Sequence, residues 1–173
     1  MLTSYALTVE EEALATRIGY ERQAPMLGQP ERNRNYSEGD AWEAFQHIVC
    51  VGSEIAFARM LGDTTFVPHV NKFKSELDLP EWGEVRYGFP RGWPNRRGTL
   101  NGLRMTVNDD DHLKYALLAE GLSNRTRREA PDWLGAPYVA IGWLWGWEAK
   151  RDEWRYNQTS WYAPISALHR FAL

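Results

Sequence analysis

Three carboxylates and one cation stand in an order that could do chemistry. They are Glu54 in "VGSEIAFARMLG", Asp78 in "LDLPEW", and Glu84 with Arg86 in "GEVRYG". Strand residues two apart project to the same face, so Glu84 and Arg86 face one way and Val85 the other. Glu54 sits among small and apolar residues rather than on an evidently polar helix face. Acid, acid and base this close together suit a surface hairpin of paired charges. They also suit a site that holds a divalent metal ion against a phosphate, and the sequence favours this second reading. Hard carboxylate oxygens hold Mg²⁺ while leaving positions open for water and phosphate. The ion then lowers the pKa of a bound water and neutralises developing charge, and a nearby cation grips the phosphate.

The elements that must position these residues follow from the pattern. Thr8 and Glu11 form a capping box that predicts a helix over roughly 8–25, with Leu14, Ile18 and Tyr20 as its stripe. Residues 28–40 read as a polar loop. A second helix runs from Asp40 to Gly62, with Trp42, Phe45, Val49, Ile55, Ala56 and Met60 on one broad face. From Phe66 the period changes. "FVPHVNKF", "GEVRYGF", "GLRMTVN", "KYALLAEG" and "PYVAIGWLWG" read as strands, and the tail as one short helical turn with an extended end. The fold class predicted is α+β: N-terminal helices packed on one mixed sheet of about five strands. One domain is expected over 1–173, helical over 1–62 and sheet over 63–173.

The 173 residues can bury a core without staples, and an apolar fraction of 43% excludes disorder as the main state. Cys50 is the single cysteine, so neither an internal disulfide nor a Cys-based zinc cluster is possible. No signal pattern and no long apolar run is visible, and the expectation is a soluble cytoplasmic protein. The net charge of −3 argues against coating nucleic acid but leaves room for a local basic groove. Its candidates are Arg91, Arg96, Arg97 and Arg104, with a further run at Arg125, Arg127 and Arg128.

The order helix acid, acid, then Glu84-Val85-Arg86 resembles the PD-(D/E)XK nuclease superfamily, the restriction-endonuclease-like fold. "GSEIAFARMLG…NKFKSELDLPEWGEVRYG" is similar to small phage and bacterial proteins of that kind, and the likeness covers roughly residues 40–120. It implies a nuclease whose metal, Mg²⁺ or Mn²⁺, is held by Glu54, Asp78 and Glu84, with Arg86 on the phosphate. It also implies a nucleic-acid partner, DNA ahead of RNA, drawn in by Arg91, Arg96, Arg97 and Arg104. Two departures weigh against this. The family carries Lys where this chain has Arg86, which does not release a proton at ordinary pH. Only five residues separate Asp78 from Glu84, which leaves little room for a hairpin and brings in Glu76 or Glu81 as the alternative acid. The alternative reading is a member of the same fold that has lost its chemistry and binds nucleic acid or a host protein.

A rival match to the motif is Asp132 with Glu148 and Lys150, fifteen residues intervening between the two acids. "GWEAKRDEW" starts a helical turn, so Glu148 and Lys150 are not expected to share a face. "NDDDHLKY" reads as a charged turn, and His47, His69, His112 and His169 lack metal-ligand spacing. Trp143, Trp145 and Trp147 alternate on one side of a strand, as a core row or as a base-stacking platform.

Overall fold

The first helix is built as its capping box requires. In the computed structural model, which describes residues 3–23, 40–70, 77–88, 102–120 and 137–171, α1 spans Val9–Gln23. The Glu11 N–H donates to Thr8 Oγ1 at 3.3 Å, and the Thr8 N–H donates back to Glu11 Oε2 at 3.0 Å. Its inner stripe is Ala15, Ile18, Gly19 and Arg22 at helical spacing. Tyr20, expected in that stripe, is instead 56% exposed. Helix α2 spans Asp40–Met60, and Gly62, with φ +92°, ends it. Val49, Val51, Ile55, Ala56, Phe57 and Met60 are buried along it, and α1 packs across it.

Four strands form a mixed sheet in the order β1-β5-β4-β2. They are β1 (Ser4–Tyr5), β2 (Glu84–Tyr87), β4 (Lys114–Glu120) and β5 (Tyr138–Trp145). β2 runs parallel to β4, and the other pairs are antiparallel. A second, antiparallel sheet has the order β3-β7-β6, from β3 (Leu103–Thr106), β7 (Ser160–Ala163) and β6 (Arg155–Asn157). The α+β class therefore holds, but two sheets replace the single one expected. The tail supplies the difference. A four-residue helix α3 (Gly146–Ala149) leads into a β6–β7 hairpin, whose turn is closed by Asn157 Oδ1 accepting from the Thr159 N–H and the Ser160 hydroxyl.

Strand β4 sits between two cores and divides its side chains between them. Ala116 and Leu118 pack with Val51, Ile55 and Phe57 under the helices. Tyr115 and Leu117 pack with Leu103, Met105, Leu144 and Trp161 against the second sheet. The layers are thus helices, mixed sheet, small sheet. Residues 66–70, expected to begin a strand, form none. Two helix arginines take their carbonyls instead: Arg22 bonds the His69 oxygen and Arg59 the Phe66 oxygen. Pro68 also denies that segment one ladder donor. Among the described residues no helix is long and apolar enough to cross a membrane.

Candidate functional site

Strand β2 decides which residues can meet. It pairs with β4 in the register Glu84↔Tyr115, Val85↔Ala116, Arg86↔Leu117 and Tyr87↔Leu118. Val85 and Tyr87 join the helix-side core. Glu84 and Arg86 therefore project to the other face, toward Tyr115 and the second sheet. There Arg86 Nη2 donates to Asp109 Oδ1 at 2.6 Å, and its guanidinium carbon lies 5.3 Å from the Tyr115 ring centroid. Its Nε is buried and has no acceptor among the described residues. Asp109 is itself held in place, since its Oδ2 accepts from the Thr106 N–H at 2.7 Å and the Thr106 hydroxyl at 3.1 Å. Burial, reinforced by the Asp109 charge, pushes the Tyr115 phenol up to about 12, against a partial opposing effect of Arg86. Tyr115 thus stays protonated at neutral pH, and Arg86 is anchored by a neighbouring acid.

Asp78 reaches the same strand from its edge. The five-residue gap that looked too short for a hairpin contains a tight reversal closed by an antiparallel bridge between Leu79 and Gly83. Its two backbone bonds are 3.0 and 2.8 Å, and Glu81 is exposed at the turn. The reversal folds Asp78 back along β2, where its Oδ2 accepts the Val85 N–H at 2.9 Å. Asp78 and Glu84 are both buried. Glu76, the alternative acid, lies outside the described residues.

Glu54 is placed elsewhere. It belongs to α2, on the helix side of the sheet, and is 3% exposed. Arg22 grips it in a fork: Nη1 to Oε1 at 2.6 Å and Nη2 to Oε2 at 2.8 Å. The same guanidinium donates twice to the His69 carbonyl, at 3.0 and 2.8 Å. Both carboxylate oxygens are engaged, and the mixed sheet stands between Glu54 and the Glu84 side chain. The three acids expected to gather Mg²⁺ or Mn²⁺ are not brought to one face, and they do not fit a shared ion. Among the described residues no group of three or more His, Cys, Asp or Glu side chains is arranged to hold a metal.

The rival motif also divides. Glu148 turns back to cap α3, accepting the Trp145 N–H at 3.0 Å, and meets His169 Nε2 at 3.0 Å. Lys150 runs the other way, to Asp111 Oδ1 at 2.8 Å and to the Asp109 carbonyl. Asp132 lies outside the described residues, as do Arg91, Arg96 and Arg97.

Arg104 is described, and it is exposed on the outer face of the small sheet. Its partner across the ladder is Tyr162, and Tyr156, 73% exposed, stands edge-on to Tyr162 with ring centroids 5.3 Å apart. Leu103, Met105, Trp161 and Ala163 on the same strands face inward. The result is a solvent-facing row of one guanidinium and two phenols. Arg155, also exposed on β6, lies over the Trp161 ring at 5.4 Å.

Sequence reasoning missed Arg22, Asp109 and the tyrosine row. Arg22 had a signal, because it continues the Ala15–Ile18 stripe one turn on. Asp109 stood in a segment read only as a charged turn, three residues after the Thr106 that anchors it. The tyrosines depended on a hairpin in the tail that carried no Gly-based turn. Comparison of the chain with protein-family models, with curated proteins and with solved structures finds no match in any of the three.

Proposed function

We propose that this chain binds nucleic acid through the outer face of the small sheet and does not hydrolyse it at Glu54, Asp78 and Glu84. The observation that carries the reading is the outer-face row Arg104–Tyr162–Tyr156, in which Arg104 and Tyr156 are exposed and Tyr162 is part-buried. Outer-face phenols offer π-faces on which bases stack, and an adjacent guanidinium offers charge to the phosphate backbone. The segment leading into β3 carries Arg91, Arg96 and Arg97, which adds positive charge before the same strand. Because the net charge is −3, a polyanion has to be attracted by local cations rather than by the whole surface. The order of helix acid, β2 acid and β2 cation supports a restriction-endonuclease-like ancestry. The engagement of Glu54 by Arg22 and of Arg86 by Asp109 supports a member that has lost the chemistry and kept the binding.

The test is an anisotropy titration of labelled single-stranded DNA, single-stranded RNA and duplex DNA at two salt concentrations. A Mg²⁺-dependent cleavage assay runs alongside. Removing both phenols by Tyr156→Ala and Tyr162→Ala is expected to weaken single-strand binding about 10-fold or more, since each stacked base contributes roughly 1–3 kcal/mol. Arg96→Ala with Arg97→Ala is expected to flatten the salt dependence. Mg²⁺-dependent cleavage that disappears in Glu84→Gln would restore the nuclease reading. Absence of binding to all three nucleic acids at low salt would favour a host-protein partner instead.

A further inference from the structure

The helix-side face of the mixed sheet ends in a group that neither the acids nor the tyrosine row uses. Lys114, the first residue of β4, is directly opposite Trp145 in β5. Trp143 lies on the same face, opposite Ala116. Trp82 arrives from the reversal that precedes β2, where Gly83 is pressed so close to the Lys114 carbonyl that a Cβ would lie 2.4 Å from that oxygen. The Lys114 ammonium therefore stands among three indoles, 5.2 Å from the ring centroid of Trp145, 5.6 Å from Trp143 and 6.0 Å from Trp82. The box is braced from behind. Trp82 is edge-on to Phe57 of α2 at 4.7 Å, and Trp143 contacts the His169 ring at 4.7 Å. Helix α2 ends just beyond Phe57, and all three indoles and Lys114 are only part-buried.

Two properties define what such a site takes. Among the described residues Lys114 Nζ meets no carboxylate and no carbonyl, and its contacts there are the three indoles. Its own charge repels the quaternary ammonium ions that empty aromatic boxes bind. Apolar walls around one side of the ammonium lower the local dielectric and strengthen its attraction for an anion. The half-exposed indoles supply flat stacking surface beside it. We infer that the Trp82–Trp143–Trp145 box around Lys114 is a binding site for a nucleoside monophosphate unit, base on indole and phosphate on Lys114.

This site faces away from the tyrosine row, with the two sheets between them, and does not depend on the reading proposed above. Isothermal titration calorimetry of the full chain at low salt tests it, with AMP, adenosine and choline as probes. AMP is expected to bind at least tenfold more tightly than adenosine, and choline not at all. Lys114→Met keeps the stem in the box and removes the charge. It is expected to erase the AMP-over-adenosine ratio while leaving its circular dichroism spectrum unchanged. Trp145→Phe, a milder change, is expected to weaken both AMP and adenosine. The inference is overturned if wild type binds neither probe, if AMP and adenosine bind equally, or if Lys114→Met leaves AMP affinity intact. Tyr156→Ala with Tyr162→Ala is expected to leave AMP binding unchanged, which separates this site from the sheet face. A 5′-phosphorylated trinucleotide compared with AMP on that double variant distinguishes a strand end from a free nucleotide as the source of the same unit.

Discussion

Glu54→Ala separates two roles for one buried carboxylate. If Glu54 is the anion that neutralises Arg22, its removal leaves a guanidinium with a relative side-chain exposure of 8% without its partner. The His69 carbonyl continues to accept from it but carries no compensating charge. Breaking one side of a buried pair costs about 3–5 kcal/mol, because the remaining charge stays desolvated. With a urea m-value of about 2 kcal/mol/M, that is a midpoint lowered by about 1.5–2.5 M. The measurement is equilibrium urea unfolding by tryptophan fluorescence in EDTA. A metal ligand behaves in the opposite way. Without metal, neutralising one of several clustered acids relieves repulsion, and the variant is as stable as wild type or more so. The double variant Arg22→Met, Glu54→Leu fills the volume with apolar side chains and is expected to recover most of the loss. A Glu54→Ala variant within about 1 kcal/mol of wild type in EDTA, combined with Mg²⁺ stabilisation of wild type alone, would refute the placement of Glu54 in a structural pair.

Three further outcomes follow from individual contacts. Burial alone would raise the Glu11 carboxyl, but the Thr8 N–H, Arg59 and the Tyr5 hydroxyl together hold it below its ordinary value of 4.5. Glu11 therefore contributes stability that is full above about pH 4.5 and is lost as pH falls through the depressed folded value. Glu11→Gln is expected to flatten the acid limb of a stability–pH curve. Tyr115 has its folded pKa raised from 10.0 to about 12, so its contribution is full below pH 10 and is lost as pH rises from 10 to 12. Ultraviolet difference titration is expected to show one phenol ionising late, and Asp109→Asn to bring that ionisation down. Gly83 has φ +138° and no room for a Cβ against the Lys114 carbonyl, so Gly83→Ala is expected to cost at least about 1–3 kcal/mol by thermal or urea unfolding.

What the sequence made legible was local. The Thr8–Glu11 box, the α2 positions Val49, Ile55, Ala56 and Met60, and strands β2 to β5 each carry their signal within one window, and each formed near the expected place, whereas Phe45 of the same stripe is only part-buried and the side chain of Trp42 lies outside the described residues. What it hid depends on distant partners. Residues 66–70 have strand composition, but two arginines from the helices occupy their carbonyls, and no window around Phe66 contains Arg22. Trp147 continued the alternation of Trp143 and Trp145, yet β5 ends at Trp145 and Trp147 falls in α3. There the Trp147 N–H donates to the Asp111 carbonyl at 3.0 Å, which turns the chain away from the ladder. The bulge in the β4–β5 pairing, near Leu118, was equally invisible. It lets Ala140 and Trp143, three residues apart, lie on the same face of the sheet.

Glu54 and Glu84 part for a related reason. Alternation fixes that Glu84 and Arg86 share a face, and the small and apolar neighbours of Glu54 set it off from an evidently polar helix face. Neither fixes which face of the sheet the helix covers. That choice is made by Val85 and Tyr87, whose apolar side chains go to the helix side together with Ala116 and Leu118. Once Val85 is buried under α2, Glu84 must point away from Glu54, whatever the order of the acids along the chain. The remaining polar groups then follow from burial. Arg86, brought between two sheets, needs an anion, and the turn before β4 supplies Asp109. Lys150, leaving α3 toward the same turn, takes the Asp109 carbonyl and Asp111. The two motifs that competed for a metal in the sequence therefore meet at one loop, residues 107–113, as the counter-charges that tie the mixed sheet to the small one. Asp109→Ala, which strips both the ion pair and the Thr106 bonds, should loosen that tie without touching the Arg22–Glu54 pair, and hydrogen exchange in β3 should rise while α1 and α2 stay protected.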